Sequence, residues 1–161
     1  MDRHDDVITL PQTRRDFCVQ ACRAVSLVAV GAALQSCGSP TSPSGGSAPA
    51  LATINGSVAG GTVSVTVDAA SPLASTGSAA LVQSSAGNFL VARTAQDAFT
   101  ALTAVCTHEG CTITGFASPL YVCPCHGSQY NTGGAVVQGP ATRALSQFTT
   151  RFVNNVLTIT L

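Results

Sequence analysis

Two short stretches hold the residues able to do chemistry. Cys106-Thr107-His108-Glu109-Gly110-Cys111 and Cys123-Pro124-Cys125-His126-Gly127-Ser128 contain four of the seven cysteines and two of the three histidines. Each stretch offers thiols and one imidazole, the donor types that bind soft and borderline transition metals. Two cysteines and two histidines at such spacing suit a closed tetrahedral zinc site. Zinc takes four ligands, however, and two of the six Cys and His side chains would then be left without a role. The remaining cysteines, Cys18, Cys22 and Cys37, lie in the N-terminal quarter, apart from this set.

The two stretches match the patterns C-x-H-x-x-C and C-x-C-H-G-S, and in this they resemble the boxes of Rieske iron–sulfur proteins, in particular the Rieske subunit of cytochrome bc-type quinol oxidases. The resemblance covers the functional tip of the domain. It implies one [2Fe-2S] cluster, with Cys106 and Cys123 on one iron and His108 and His126 on the other. It also implies a disulfide between Cys111 and Cys125 joining the two cluster loops. Such a bond closes a loop of about 15 residues, stabilising by roughly 3 kcal/mol in the chain-entropy model, and requires an oxidising compartment.

Further positions follow from the same resemblance. Gly127 belongs to the second box. Ser128 and Tyr130 fall where high-potential members place hydroxyls that hydrogen-bond to cluster sulfurs, and such donors favour the reduced cluster. Gly139-Pro140-Ala141 resembles the start of the family's proline loop, so Pro140 is expected to shield the cluster. Two residues depart from the pattern: Glu109 stands where a bulky apolar residue is usual, and Thr142 where a second proline is common. A carboxylate beside the cluster would oppose reduction and alter the docking face.

The implied function is electron transfer through a high-potential cluster, from quinol to a c-type cytochrome, with cytochrome b as a neighbour. His126 would meet the quinol, with His108 beside it, and the chain would be a redox subunit rather than an enzyme alone. The alternative is a separate periplasmic carrier, or a small subunit as in enzymes like arsenite oxidase. Ring-hydroxylating oxygenases add a mononuclear iron held by two further histidines and a carboxylate, and beyond the two boxes this chain has only His4, one short of the pair required.

These residues need a frame, and the rest of the chain reads as a small all-β domain. Val63, Val65 and Val67 alternate with polar residues, the period-two signal of a half-buried strand. Residues 79–83 and 89–94 flank a turn-forming set, as residues 149–153 and 156–161 flank Asn154-Asn155, and both pairs predict antiparallel hairpins. Glycines and prolines break residues 107–139 into loops. With the resemblance, the expected fold is an antiparallel β-sandwich over residues 51–161 with a loop-rich cluster-binding tip at about 101–142.

The N-terminal part reads as an address and an anchor. Thr13-Arg14-Arg15-Asp16-Phe17 is a twin-arginine pattern, and the apolar stretch after it, residues 24–34, is short for a span of ~20 residues. Leu34-Gln35-Ser36-Cys37 resembles a bacterial lipobox, which makes residues 1–36 a signal and Cys37 a lipidated first mature residue on the outer face of the membrane. Cleavage near Ala32-Ala33, leaving a soluble protein, is the other reading. Residues 38–50 are Gly, Ser and Pro rich, so residues 37–50 are expected to form a flexible tether. Charged residues make up only 9%, with seven basic against seven acidic, which excludes a nucleic-acid partner bound by charge.

Overall fold

The computed structural model describes residues 48–161. The expected signal, lipobox and most of the tether, with Cys37, lie outside the described residues. Within them there is no helix, and twelve strands form. In chain order these are β1 (Ala52–Asn55), β2 (Ser57–Ala59), β3 (Thr62–Thr66), β4 (Ala79–Ser84), β5 (Gly87–Ala95), β6 (Ala98–Thr103), β7 (Gly115–Ala117), β8 (Leu120–Val122), β9 (Gln129–Asn131), β10 (Val136–Gln138), β11 (Gln147–Val153) and β12 (Val156–Thr160).

Eight strands form one sheet in the order β1-β4-β5-β6-β11-β12-β3-β2, and four form a second in the order β10-β9-β8-β7. Both expected hairpins are present. β11 and β12 pair antiparallel from Val153↔Val156 outward. Asn154 and Asn155 between them both take φ near +55°, at 51° and 60°, as a two-residue hairpin turn requires. β4 and β5 pair closer to their turn than expected, with Ser84 opposite Gly87. One pairing departs from an all-antiparallel plan: β1 runs parallel to β4.

That parallel pair has a simple cause. β1 and β2 are the two edges of the large sheet, and Gly56 alone separates them. The sheet is rolled until its edges meet there. A Cβ at Gly56 would lie 2.5 Å from Val63 Cγ1 and 3.0 Å from Val82 Cγ1, so only glycine fits this seam. Inside the roll, Val63, Val65, Val67, Val82, Phe89, Val91, Leu157 and Ile159 form one core.

The strands β4, β5 and β6 are buried on both faces. Ala80, Val82, Val91 and Ala101 point into the first core, whereas Leu81, Leu90, Ala92 and Leu102 point into a second. The β4 and β5 sequences therefore read as continuous apolar runs, AALV and FLVA, rather than as alternation, and β6 reads FTAL with only Thr100 interrupting. The second core is completed by Ile113, Tyr121, Tyr130, Ala141 and Leu145, together with Cys106 and Cys123. The four-stranded sheet is thus seated on the outer face of the large one, and two of the chemistry-bearing cysteines belong to the packing between them.

Residues 107–139, expected as loops, include the strands β7 to β10, each three residues long. Three residues are too few to show a period of two, which is why the sequence pattern misses them. The expected tether boundary falls inside ordered pairing: Phe116 N donates to Pro49 O, Leu51 N donates to Thr114 O, and Ala50 bridges Gly115.

Candidate metal centre

Two loops carry the candidate ligands, and they share one backbone design. The first follows β6, and the second joins β8 to β9. In the first, Cys106 N donates to Cys111 O at 2.8 Å and Gly110 N donates to Cys106 O at 2.9 Å. In the second, Cys123 N donates to Ser128 O at 2.8 Å and Gly127 N donates to Cys123 O at 3.0 Å. Each loop is a tight turn opened by a cysteine and closed by a glycine four residues on. Gly110 and Gly127 take φ of 75° and 74°, a left-handed conformation that glycine adopts without steric cost.

This repeated turn brings the histidines together although they sit at different positions in their boxes. The imidazoles of His108 and His126 stand edge to face, with ring centres 4.9 Å apart and planes at 83°. Their Nε2 atoms point outward, toward the Glu109 carboxylate, at 4.0 Å from His108 and 3.8 Å from His126. The inner nitrogen of His108, Nδ1, is buried and has no hydrogen-bond partner. A buried ring nitrogen left unpaired is costly unless it binds something. A metal ligand role meets that need.

Cys106 and Cys123 are free thiols, each 2% exposed. Cys111 and Cys125 form a disulfide across the two loops, with Cα atoms 6.6 Å apart, the pairing expected. The sulfurs of Cys111, Cys123 and Cys125 lie within 4.8 Å of one another, but the disulfide engages two of them and leaves Cys123 alone to bind a metal. The available thiol and imidazole donors are therefore Cys106, Cys123, His108 and His126, the set the family resemblance implied. No third histidine lies among the described residues.

The hydroxyls expected to serve the sulfurs are in place. Tyr130 is fully buried, and its Oη lies 3.2 Å from Cys106 Sγ. Thr107 N donates to that oxygen at 3.2 Å, and Thr107 Oγ1 lies 3.0 Å from it. Since Thr107 Oγ1 donates its own proton to Arg143 O at 2.6 Å, the Tyr130 proton has two acceptors, Cys106 Sγ and Thr107 Oγ1. A thiolate is the stronger of the two. Ser128 is fully buried and accepts from Ala141 N at 3.0 Å, and it is among the groups that lower the Cys106 thiol.

These contacts separate the two thiols. Burial acts to raise the Cys106 thiol, but hydrogen bonds from Tyr130, the His108 backbone, Cys123 and Ser128 together lower it. Burial raises the Cys123 thiol, and the neighbouring Cys106 raises it further. Burial also pushes the Tyr130 phenol up, with Cys106 adding to the shift, so Tyr130 is held as a donor.

A third loop, after β10, completes the surroundings. Ala141 is buried beside Cys106 and Cys123, whereas Pro140, expected to do the shielding, is exposed. Thr107 and the Arg143 carbonyl are contributions that the sequence reading missed. The only signal for Thr107 was a hydroxyl at the variable position of the first box.

Residues 64–149, more than half of the chain, match the model of the Rieske [2Fe-2S] domain family, and the chain belongs to that family. Its cofactor is one [2Fe-2S] cluster and its chemistry is electron transfer. Among curated proteins, the chain is similar to the cytochrome b6-f complex iron-sulfur subunit of Synechococcus sp. (strain JA-3-3Ab), 56% identical over 45 residues, which are 27% of this chain and 26% of that protein. The chloroplastic cytochrome b6-f complex iron-sulfur subunit of Pisum sativum is 53% identical over 47 residues, 29% of this chain and 20% of that one. The matched stretch thus spans about a quarter of these relatives or less. Among solved structures, a cyanobacterial plasma membrane Rieske protein from Synechocystis PCC 6803 is 27% identical, with a TM-score of 0.47, covering 52% of this chain and 86% of that one.

The residues present fit the cluster. Two free buried thiols meet the need of one iron, and two imidazoles, one with an orphaned inner nitrogen, meet the need of the other.

Proposed function

We propose that Cys106 and Cys123 hold one iron of the [2Fe-2S] cluster and His108 and His126 the other. In this reading the chain takes electrons from quinol and passes them to a c-type cytochrome on the outer side of a bacterial membrane. The observation that carries the site assignment is the shared turn design of the two loops. It gathers two free thiols and two imidazoles while the remaining cysteine pair ties the loops together.

When bound, the cluster accepts and releases one electron. The protein's own groups decide how readily and where. Tyr130 and Ser128 direct hydroxyls at the Cys106 sulfur, which favours the state with more negative charge. The second core keeps water from the cysteine side. On the other side, the His126 side chain is 47% exposed against 27% for His108, so His126 Nε2 is the more open acceptor for a quinol hydroxyl. The cytochrome b6-f names of the curated relatives support a complex that includes cytochrome b.

A second reading, a stand-alone carrier or a small subunit of another oxidoreductase, is favoured by Glu109, whose carboxylate fronts both imidazoles where a quinol would approach. Gentle purification from native membranes separates the two. Co-purification of a b-type cytochrome, with quinol-dependent reduction of the cluster, is expected. A chain recovered alone, or with a different oxidoreductase, and unreactive with quinol would contradict the quinol-oxidising reading.

A further inference from the structure

Glu109 is 62% exposed, and its two oxygens face the site, Oε1 at 4.0 Å from His108 Nε2 and Oε2 at 3.8 Å from His126 Nε2. The edge-to-face rings leave their outer nitrogens close enough for one carboxylate to span them. At 4.0 and 3.8 Å the carboxylate stands close to both ring nitrogens without a direct hydrogen bond to either. Among the described residues, no Lys or Arg lies within ion-pair distance of Glu109; Arg143, which lines the same cleft, makes no ion pair with it. Gly110 follows at once, and its left-handed φ turns the chain back so that Glu109 stays at the tip.

We propose that Glu109 is a positioning residue that sets the reduction potential of the centre, lowering it by placing one negative charge against both imidazoles. The inference rests on the ligand assignment above. Reduction adds negative charge at the centre, and a carboxylate against two of its ligands disfavours that state more than the oxidised one. The two sides of the site therefore act in opposite directions. Hydroxyls on the Cys106 sulfur raise the potential, and the carboxylate outside the imidazoles lowers it. The chain is accordingly tuned for a donor of lower potential than the hydroxyls alone would select.

A like charge within ~4–6 Å moves an ionisation equilibrium by about tenfold or more, and the exposure of Glu109 argues for the low end. The test is a redox titration, followed by circular dichroism, of the full cluster-loaded chain. Glu109→Gln is expected to shift the equilibrium about tenfold toward the reduced form, a rise of about 59 mV for one electron. The shift should shrink in 1 M salt, where the screening length is roughly 3 Å. Glu109→Asp, which keeps the charge, should stay close to wild type, as should Asp97→Asn at the far end of the β5–β6 hairpin. Glu109→Gln protein with full iron and sulfide and an unmoved or lowered potential would overturn the inference and leave the ligand assignment standing, as would an Asp variant that behaves like the Gln variant. A wild-type chain with no iron and sulfide would overturn both.

Discussion

Tyr130 shows how a single hydroxyl is committed to the centre. Its oxygen accepts from Thr107 N, its proton faces Cys106 Sγ, and Thr107 Oγ1, whose own proton is donated to Arg143 O, holds the group in place. Ser128 accepts from Ala141 N and also acts to lower the Cys106 thiol. Tyr130→Phe and Ser128→Ala should each lower the midpoint potential without loss of the cluster. A net ~1–2 kcal/mol per charge-assisted bond corresponds to roughly 40–90 mV for one electron. Potentiometric titration with iron analysis checks this; variants that keep the cluster at wild-type potential would contradict it. At this scale much was legible, because Ser128 closes the second box and Tyr130 lies two residues beyond it. The role of Thr107 was not, since its partners are distant in sequence, 23 residues away at Tyr130 and 36 at Arg143. Glu109 stood out as a departure from the pattern, but only the folded loops show that it faces both imidazoles.

The elements that place these side chains are short and depend on glycine where the chain must turn. Gly110 and Gly127 close the two loops with left-handed φ and open space around a would-be Cβ. Substituting alanine at either should cost about 1 kcal/mol, from the backbone alone. Gly134 is more constrained. Its φ is 87°, and an added Cβ would lie 3.1 Å from Leu145 O and 3.2 Å from Leu102 Cδ2, where the third loop returns to the core. Gly134→Ala should therefore cost more, about 2–3 kcal/mol, and thermal unfolding of the three variants should rank it last in stability. Equal losses at all three positions would refute the packing argument. The two hairpins were legible from paired strand-forming runs that flank turn residues. β7 to β10 were not, because three-residue strands have no measurable period, and the parallel β1–β4 pair is set by the closure at Gly56 rather than by any local pattern.

At the scale of the molecule, one rolled sheet supports a smaller sheet, and the site lies at the end of their shared core. The doubly buried strands β4 and β5 were legible as runs flanking a turn, whereas β6 was not anticipated, and nothing local says that the two faces of these strands serve different cores. The N-terminal reading leads to a separate expectation. The twin arginines imply export with the cluster already inserted, and Cys37 implies a lipid anchor. Cys37→Ala should release the protein from membranes on high-salt washing, and Arg14→Lys with Arg15→Lys should block export. Retention of the first variant, or normal export of the second, would refute the corresponding half. The central claim is the ligand set, and the most direct measurement is iron, acid-labile sulfide and zinc per purified chain, for the wild type and for His126→Ala and Cys106→Ser. The account predicts two irons and two sulfides in the wild type and loss of both in each variant. One zinc in place of iron, or variants that keep wild-type iron and sulfide, would contradict it.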